Sequence, residues 1–280
     1  SYEPIANAYR PGGTVFRNLI ADLRFAARRL RSRPAYAALG ATTAQTAVGV
    51  SPGNPNEVFL GVFDAGIARS TDGGTNWIAS GTSFADFGIT AFGFDPDDAN
   101  TLYAGVTFGG AVPPAAVYAS TDNGTTWAPH SLDLPAVFPL RVLVDPSDRD
   151  RMFLAAFDSL APMSGGLYRP TDAGLNWTRV AFANLDVLDV EIDPSDPDIV
   201  YAATELGVHV STDGGDTFAV NAAFDAITSL PARSIEIDPV VPSTLYVASI
   251  DPALTPPQKS SWVLRSVDSG QSWETLRAES

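Results

Sequence analysis

Apolar residues along this chain come in short runs divided by Gly, Pro, Asn and Asp. From Val187 to Ile192 apolar and polar side chains alternate with period two, the mark of a strand with two unlike faces. A second kind of run is apolar and rich in aromatic and β-branched residues: Val58-Phe-Leu-Gly-Val, Leu102-Tyr-Ala-Gly-Val, Met152-Phe-Leu-Ala-Ala, Val200-Tyr-Ala-Ala and Leu245-Tyr-Val-Ala. A third run follows each, with Ile67, Val117, Leu167, Val208 and Val263 at one shared slot, and a fourth begins at a Trp or Phe. One segment departs from this pattern. Between Thr14 and Arg33, Phe16, Leu19, Ile20, Leu23, Ala27 and Leu30 recur at helical spacing, while Arg17, Arg24, Arg28 and Arg31 gather on the opposite face. With Thr14 as N-cap and Pro34 as stop, the spacing predicts a basic amphipathic helix over 14–34, preceded by an extended arm over 1–13.

The strand runs repeat as a unit. Five segments align: Ser70-Thr-Asp72-Gly-Gly74-Thr-Asn-Trp77, Ser120-Thr-Asp122-Asn-Gly124-Thr-Thr-Trp127, Pro170-Thr-Asp172-Ala-Gly174-Leu-Asn-Trp177, Ser211-Thr-Asp213-Gly-Gly215-Asp-Thr-Phe218 and Ser266-Val-Asp268-Ser-Gly270-Gln-Ser-Trp273. A second motif precedes each: Val50-Ser-Pro, Phe94-Asp-Pro, Val144-Asp-Pro, Ile192-Asp-Pro and Ile237-Asp-Pro. Two motifs in register five times define a repeat architecture. Four short strands per unit, with turn residues between them, predict propeller blades over about 46–82, 87–131, 138–182, 186–221 and 230–277.

The box residues have a clear physical task. An Asp in a tight turn accepts hydrogen bonds from N–H groups ahead of it, a Gly permits positive φ, and a Ser or Thr hydroxyl ties the turn from its other side. The aromatic then anchors the outer strand by packing into the blade. Five equivalent turns spaced roughly 72° around a ring cannot converge on one substrate, so the aspartates read as structural rather than as catalytic acids or metal ligands.

These motifs resemble the Asp-box (bacterial neuraminidase) repeats of sialidases, xyloglucanase-like glycoside hydrolases, the sortilin family and photosystem II stability and assembly factors, over roughly residues 46–277. The resemblance implies an all-β, five-bladed propeller of four-stranded blades. It leaves function open, because the family mixes hydrolases with binding proteins. Box three departs at Pro170, box four at Phe218 and box five at Val267.

Charge divides the chain. The first 40 residues carry seven arginines against Glu3 and Asp22, whereas the remaining 240 carry 10 basic and 30 acidic side chains, for a net −15 overall. So acidic a body repels nucleic acid. Cysteine is absent, which removes disulfides, thiolate metal sites and cysteine nucleophiles. No run of 18 apolar residues predicts a membrane-crossing helix. Ser1 fits a processed end, by removal of a methionine or of a signal peptide.

Candidate chemistry is sparse. Arg69, Arg169 and Arg265 share one slot before the box and read as solvated, or salt-bridged within their own blades, rather than as a carboxylate-binding cluster. Asp64, Asp158, Glu205 and Asp251 follow the second strands and are the carboxylates a glycosidase reading would use. His130 and His209 fall in different blades, and the reading calls for no metal, cofactor or catalytic residue. Function therefore points to the front end. The helix lies on an anionic membrane surface, docks on a partner through Phe16, Arg17, Leu19, Ile20, Leu23, Arg24, Arg28, Leu30 and Arg31, or folds back on the acidic propeller. The favoured expectation is a non-catalytic scaffold, peripheral to a membrane on its extracytoplasmic side, that binds protein subunits of a larger complex. A carbohydrate-binding or glycosidase-like propeller is the alternative. Since the first blade opens on an inner strand, closure of the ring falls to residues 35–45, to the arm or to a partner.

Overall fold

The computed structural model describes residues 45–62, 66–80, 84, 87–108, 115–131, 133–135, 137–158, 165–171, 174, 176–250 and 261–279. The helix expected over 14–34 and the arm over 1–13 lie outside them.

Strand pairing follows from the alternation in each run. Blade 1 holds β1 (Gln45–Ser51), β2 (Asn54–Val62), β3 (Gly66–Ser70) and β4 (Ile78–Ser80). Blade 2 holds β5 (Phe87–Phe94), β6 (Leu102–Phe108), β7 (Val117–Ser120) and β8 (Ala128–Pro129). Blade 3 holds β9 (Val137–Asp145), β10 (Asp148–Asp158), β11 (Gly166–Pro170) and β12 (Trp177–Ala181). Blade 4 holds β13 (Val187–Ile192), β14 (Val200–Thr204), β15 (Gly207–Ser211) and β16 (Ala219–Val220), followed by the one-turn helix α1 (Ala222–Asp225). Blade 5 holds β17 (Ala232–Ile237), β18 (Leu245–Ile250), β19 (Ser261–Ser266) and β20 (Glu274–Glu279). Each blade is an antiparallel meander of four strands in sequence order. The fourth strand starts after the box aromatic, except in blade 3, where Trp177 opens β12. The indole folds back over the turn in blades 1, 2 and 3, where Trp77, Trp127 and Trp177 donate Nε1–H to the carbonyls of Gly74, Gly124 and Gly174 at 3.0, 3.1 and 2.7 Å.

The first strands β1, β5, β9, β13 and β17 stand side by side about a common axis, each packed on the next. All five carry a β-bulge at one register position, skipping Thr46, Thr90, Leu140, Leu188 and Arg233. A bulge re-aims the residues after it, so Ala47, Ala91, Arg141, Asp189 and Ser234 occupy one equivalent slot per blade.

The core lies between blades. Phe59 and Ile67 of blade 1 join Ile89 and Leu102 of blade 2, and the other three consecutive interfaces hold clusters of the same kind. The deepest contact at an interface is an aromatic of the second strand set beneath the neighbouring box. Phe59 lies under Gly124 and Phe153 under Gly215, so closely that a Cβ on either glycine would come within 2.6 Å of the ring. A fifth small cluster (Leu60, Val62, Ala68 and Trp77) occupies the other face of blade 1. Among the described residues no strand of blade 5 packs on blade 1 in the way the four consecutive pairs do, so the five sheets do not by themselves close a ring.

Gly215 has φ +87°, and its missing Cβ makes room for the Phe153 ring. Gly215→Ala combines left-handed backbone strain with overpacking and should cost ~2–4 kcal/mol. Gly53→Ala, where the nearest atom to the new Cβ is 3.9 Å away, should change stability by less than about 0.5 kcal/mol. Urea unfolding of the two variants beside the parent checks both expectations; equal midpoints would remove the interlock from the account of stability.

Candidate functional site

Chemistry-bearing residues gather in two places, the box turns at the blade rims and the inner strands at the axis. In box one the Ser70 hydroxyl donates to Asp72 Oδ1 at 2.9 Å and accepts from the Gly74 N–H at 2.9 Å. Asp72 in turn accepts from the backbone N–H of Asn76 at 2.7 Å and from its side-chain amide at 2.6 Å. The same bonds recur around Asp122, from Ser120, Gly124 and Thr126. They recur around Asp213, from Ser211, Gly215 and Thr217, and around Asp268, from Ser266, Gly270 and Ser272. These donors favour the ionised carboxylate. The Asn76 N–H leads in lowering Asp72 and the Thr126 N–H in lowering Asp122, while the hydroxyls of Ser272 and Thr217 lead at Asp268 and Asp213, the last falling to about 2.

The departures from the repeat have local answers. Asp172 lies outside the described residues. Pro170 brings no hydroxyl to its turn; Trp177 keeps the indole bond to the carbonyl of its own Gly174, at 2.7 Å, and is held as well by residues before its blade, the Asp133 carboxylate accepting its backbone N–H at 3.0 Å and the His130 carbonyl its indole N–H at 3.0 Å. Phe218 has no indole N–H and packs at a tilt against Phe182, ring centres 4.9 Å apart. Val267 points into solvent. Trp273 packs edge-on against Phe224 of α1 at 5.5 Å.

The three arginines of the shared slot stand apart from one another. Arg69 pairs with Glu57 and Arg265 with Glu274, each inside its own blade. Arg169 corrects the expectation that all three stay within their blades. It crosses to the next box, where it meets Asp216 at 2.5 Å and the Gly214 carbonyl at 3.2 Å, because the box turn of blade 4 lies directly over the end of β11. Of the four glycosidase candidates, Glu205 sits exposed in the turn between β14 and β15. Asp64, Asp251 and the side chain of Asp158 are outside the described residues. His209 is buried beside Phe182, and burial lowers its pKa. The described residues contain no group of three or more His, Asp or Glu suited to hold a metal ion.

Sequence reasoning missed the axial cluster. Arg141 on β9 pairs with Glu191 on β13 and lies 3.8 Å from Asp189, two residues earlier on that strand. Asp189 also accepts the Ile235 N–H of blade 5 at 3.1 Å, and Glu236 of that blade adds its charge nearby. Three blades thus bring one guanidinium and three carboxylates together. Burial opposes ionisation of the acids more than Arg141 favours it, raising Asp189 to about 6 and Glu191 to about 8. Burial likewise opposes the Arg141 charge, but Glu191, Asp189 and Glu236 outweigh it and raise its pKa. One signal for this cluster was available: Asp189 and Glu191 are the polar half of the alternation in β13, at positions facing a packed interface.

No protein-family profile matches the chain, and no curated protein does. Solved structures match. A GH74 enzyme from Niastella koreensis is 20% identical, with a TM-score of 0.57 over 82% of this chain and 50% of its own. A GH74 xyloglucanase from Xanthomonas campestris is 17% identical, with a TM-score of 0.57 over 83% of this chain and 52% of its own. YCF48 bound to a D1 peptide is 17% identical, with a TM-score of 0.51 over 84% of this chain and 82% of its own. What they share with it is the propeller fold. The chain spans about half the length of the two GH74 enzymes.

The axial cluster sets a pH dependence whose sign follows from linkage. Folded-state values for Asp189 and Glu191 lie above those of an unfolded chain, so their contribution is full below about pH 4 and is lost as pH rises through about 6 and then about 8. Glu191→Gln should therefore flatten the fall in melting temperature between pH 5 and pH 8.5. Arg141→Met leaves the acids without their cation. Breaking a buried pair costs ~3–5 kcal/mol, and since 35% of the Arg141 side chain is solvent-exposed the loss belongs at or below the lower end, ~2–3 kcal/mol, and is larger at pH 8.5 than at pH 5. Thermal melts of both variants at the two pH values supply the check.

Proposed function

We propose that this chain is a non-catalytic propeller scaffold that binds protein subunits of a larger, membrane-associated complex, with residues 1–40 as its contact segment. The observation carrying this reading is how the repeat uses its acids. The carboxylates of Asp72, Asp122, Asp213 and Asp268 are each taken up by donors of their own turn, and those of Asp189 and Glu191 by Arg141 and the Ile235 N–H. Carboxylates engaged in this way hold turns and blades together; contact with a partner falls to loops and to the basic segment. YCF48, seen with a D1 peptide, supports the reading through its length, since the likeness covers 84% of this chain and 82% of that one. On this view the helix over 14–34 presents Phe16, Leu19, Ile20, Leu23 and Leu30 to a partner or membrane, with its arginines flanking them, and no helix of the described residues is long and apolar enough to cross a membrane.

The fold likeness to GH74 enzymes keeps a carbohydrate-directed function as the competing reading. Affinity capture from native membranes with the full chain, and with residues 1–40 deleted, separates the two. The scaffold reading expects a defined set of subunits that the truncated but folded chain no longer retains. Unchanged capture would count against residues 1–40 as the contact segment, and glycan-array binding lost on Asp64→Ala, Asp158→Ala, Glu205→Ala or Asp251→Ala would turn the assignment to carbohydrate.

A further inference from the structure

In four blades the turn between the first and second strands begins with an aspartate that is engaged by its own turn. Asp95, Asp145, Asp193 and Asp238 each accept the N–H two residues on, at 2.7 to 2.9 Å. In blade 2 the other oxygen of that aspartate is met from the next blade: Arg149 reaches Asp95 Oδ2 at 2.6 Å. Blade 1 and its neighbour lack both halves of this arrangement. Ser51 stands in the aspartate's place, and Ala99, at the blade 2 position equivalent to Arg149, stands in the arginine's. The two turns still meet, since a Cβ on Gly53 would lie 3.9 Å from that of Ala99. Between them the two short side chains leave a hollow of about 130 Å³. Ser51, Phe94 and Asp95 line its inner part, and the exposed Pro52, Pro96 and Asp97 its mouth. Ser51 is 3% exposed, and its Oγ, closed off from solvent, has no hydrogen-bond partner among the described residues. A buried hydroxyl in that position is costly until something bonds it.

We propose that this hollow is a binding site for a guanidinium group, the side chain of an arginine carried by another polypeptide or by the basic segment at the front of this chain. The interface between blades 2 and 3 shows what the equivalent position accommodates, because there the guanidinium of Arg149 fills it. The chemistry of the wall agrees. Ser51 Oγ and the carboxylates of Asp95 and Asp97 are acceptors, and a guanidinium presents five N–H donors in one plane. Asp95 is shared with Arg149, so Asp97 supplies the balancing charge. Phe94, Pro52 and Pro96 add apolar surface. The weakly hydrated face of a guanidinium lies against such a surface at little cost, whereas an ammonium holds its water. An anion is disfavoured by Asp95 and Asp97 and by a body whose acids outnumber its bases by 30 to 10 over residues 41–280. The volume also suits the group, since a cavity of roughly 150 Å³ takes a benzene ring. None of this depends on the partner complex proposed above.

The test is an NMR titration of the full chain with methylguanidinium chloride, beside sodium chloride and methylammonium chloride at the same concentrations. Methylguanidinium should shift the amides of Ser51, Gly53, Ala99 and Thr101 saturably, with half-saturation at roughly millimolar concentration because so small a ligand makes few contacts. Ser51→Asp combined with Ala99→Arg rebuilds the ion pair of the next interface inside the hollow and should weaken binding about tenfold or more. Asp97→Asn, at an exposed position that keeps the shape of the hollow, should weaken it about threefold. Changing the seven arginines of residues 1–40 to glutamine separates the two sources. Tighter binding in that variant identifies the chain's own arginine as the competitor, and unchanged binding assigns the site to an arginine from elsewhere. Shifts that fail to saturate, or that methylammonium reproduces, overturn the proposal. So does equal affinity in the Ser51→Asp, Ala99→Arg and Asp97→Asn variants when their circular dichroism is normal.

Discussion

An aromatic ring pressed beneath a box glycine is the contact on which the rest of this fold depends. The glycine must lack a Cβ and must adopt positive φ, and the turn that holds it there is built from a serine hydroxyl and an aspartate. The box is therefore local chemistry in the service of a long-range contact. Its hydrogen bonds place the α-carbon of Gly124 or Gly215 where Phe59 or Phe153 can reach it across the blade interface. Blade 3 shows that the contact has tolerance in its parts. There His130, tilted against Tyr103 with ring centres 5.2 Å apart, lies against Gly174, and the Asp133 carboxylate accepts the Trp177 N–H. At the fourth interface the Tyr201 hydroxyl bonds the Ser269 carbonyl at 3.2 Å, and the Asn221 amide bonds the Gly270 carbonyl at 3.0 Å.

The same packing decides what the axis can contain. Where inner strands approach closely, the slots facing the next blade are Gly49 and Gly93, and a side chain would collide with Phe92 or Val142. In blades 4 and 5 those slots are Glu191 and Glu236. Burying such groups is costly unless they are paired, and Arg141 is the one cation the described axis supplies to three acids. A cluster with that imbalance holds protons at a pH where exposed carboxylates have lost theirs. Polarity at the axis is thus uneven, small on the side of blades 1 and 2 and charged on the side of blades 3 to 5.

How much of this was legible before any coordinates depended on the distance over which a signal acts. Box turns and strand runs are local, and Ser120, Asp122 and Gly124 announce their bonds within five residues of sequence. The outer strand starts one residue later than the sequence suggests in blades 1, 2, 4 and 5, just after the box aromatic, and on the aromatic itself only in blade 3. Arg169 was misread because its partner, Asp216, is 47 residues away in the next blade. Arg141, Asp189 and Glu236 lie on three different blades, and nothing in any one repeat says that they meet. The bulge that aligns them is visible only as a change of register between paired strands.

Repeat proteins gain stability from each unit and from each interface between neighbours, so an end unit has one neighbour fewer than the rest. Val263 and Val208 are the same residue type at the same slot, yet one is half-buried and the other wholly so. Sequence placed both; the neighbour decides which of them is core. Blade 5 shows that effect among the described residues, and anything that covers Tyr246 and Val263 stabilises the folded chain by mass action.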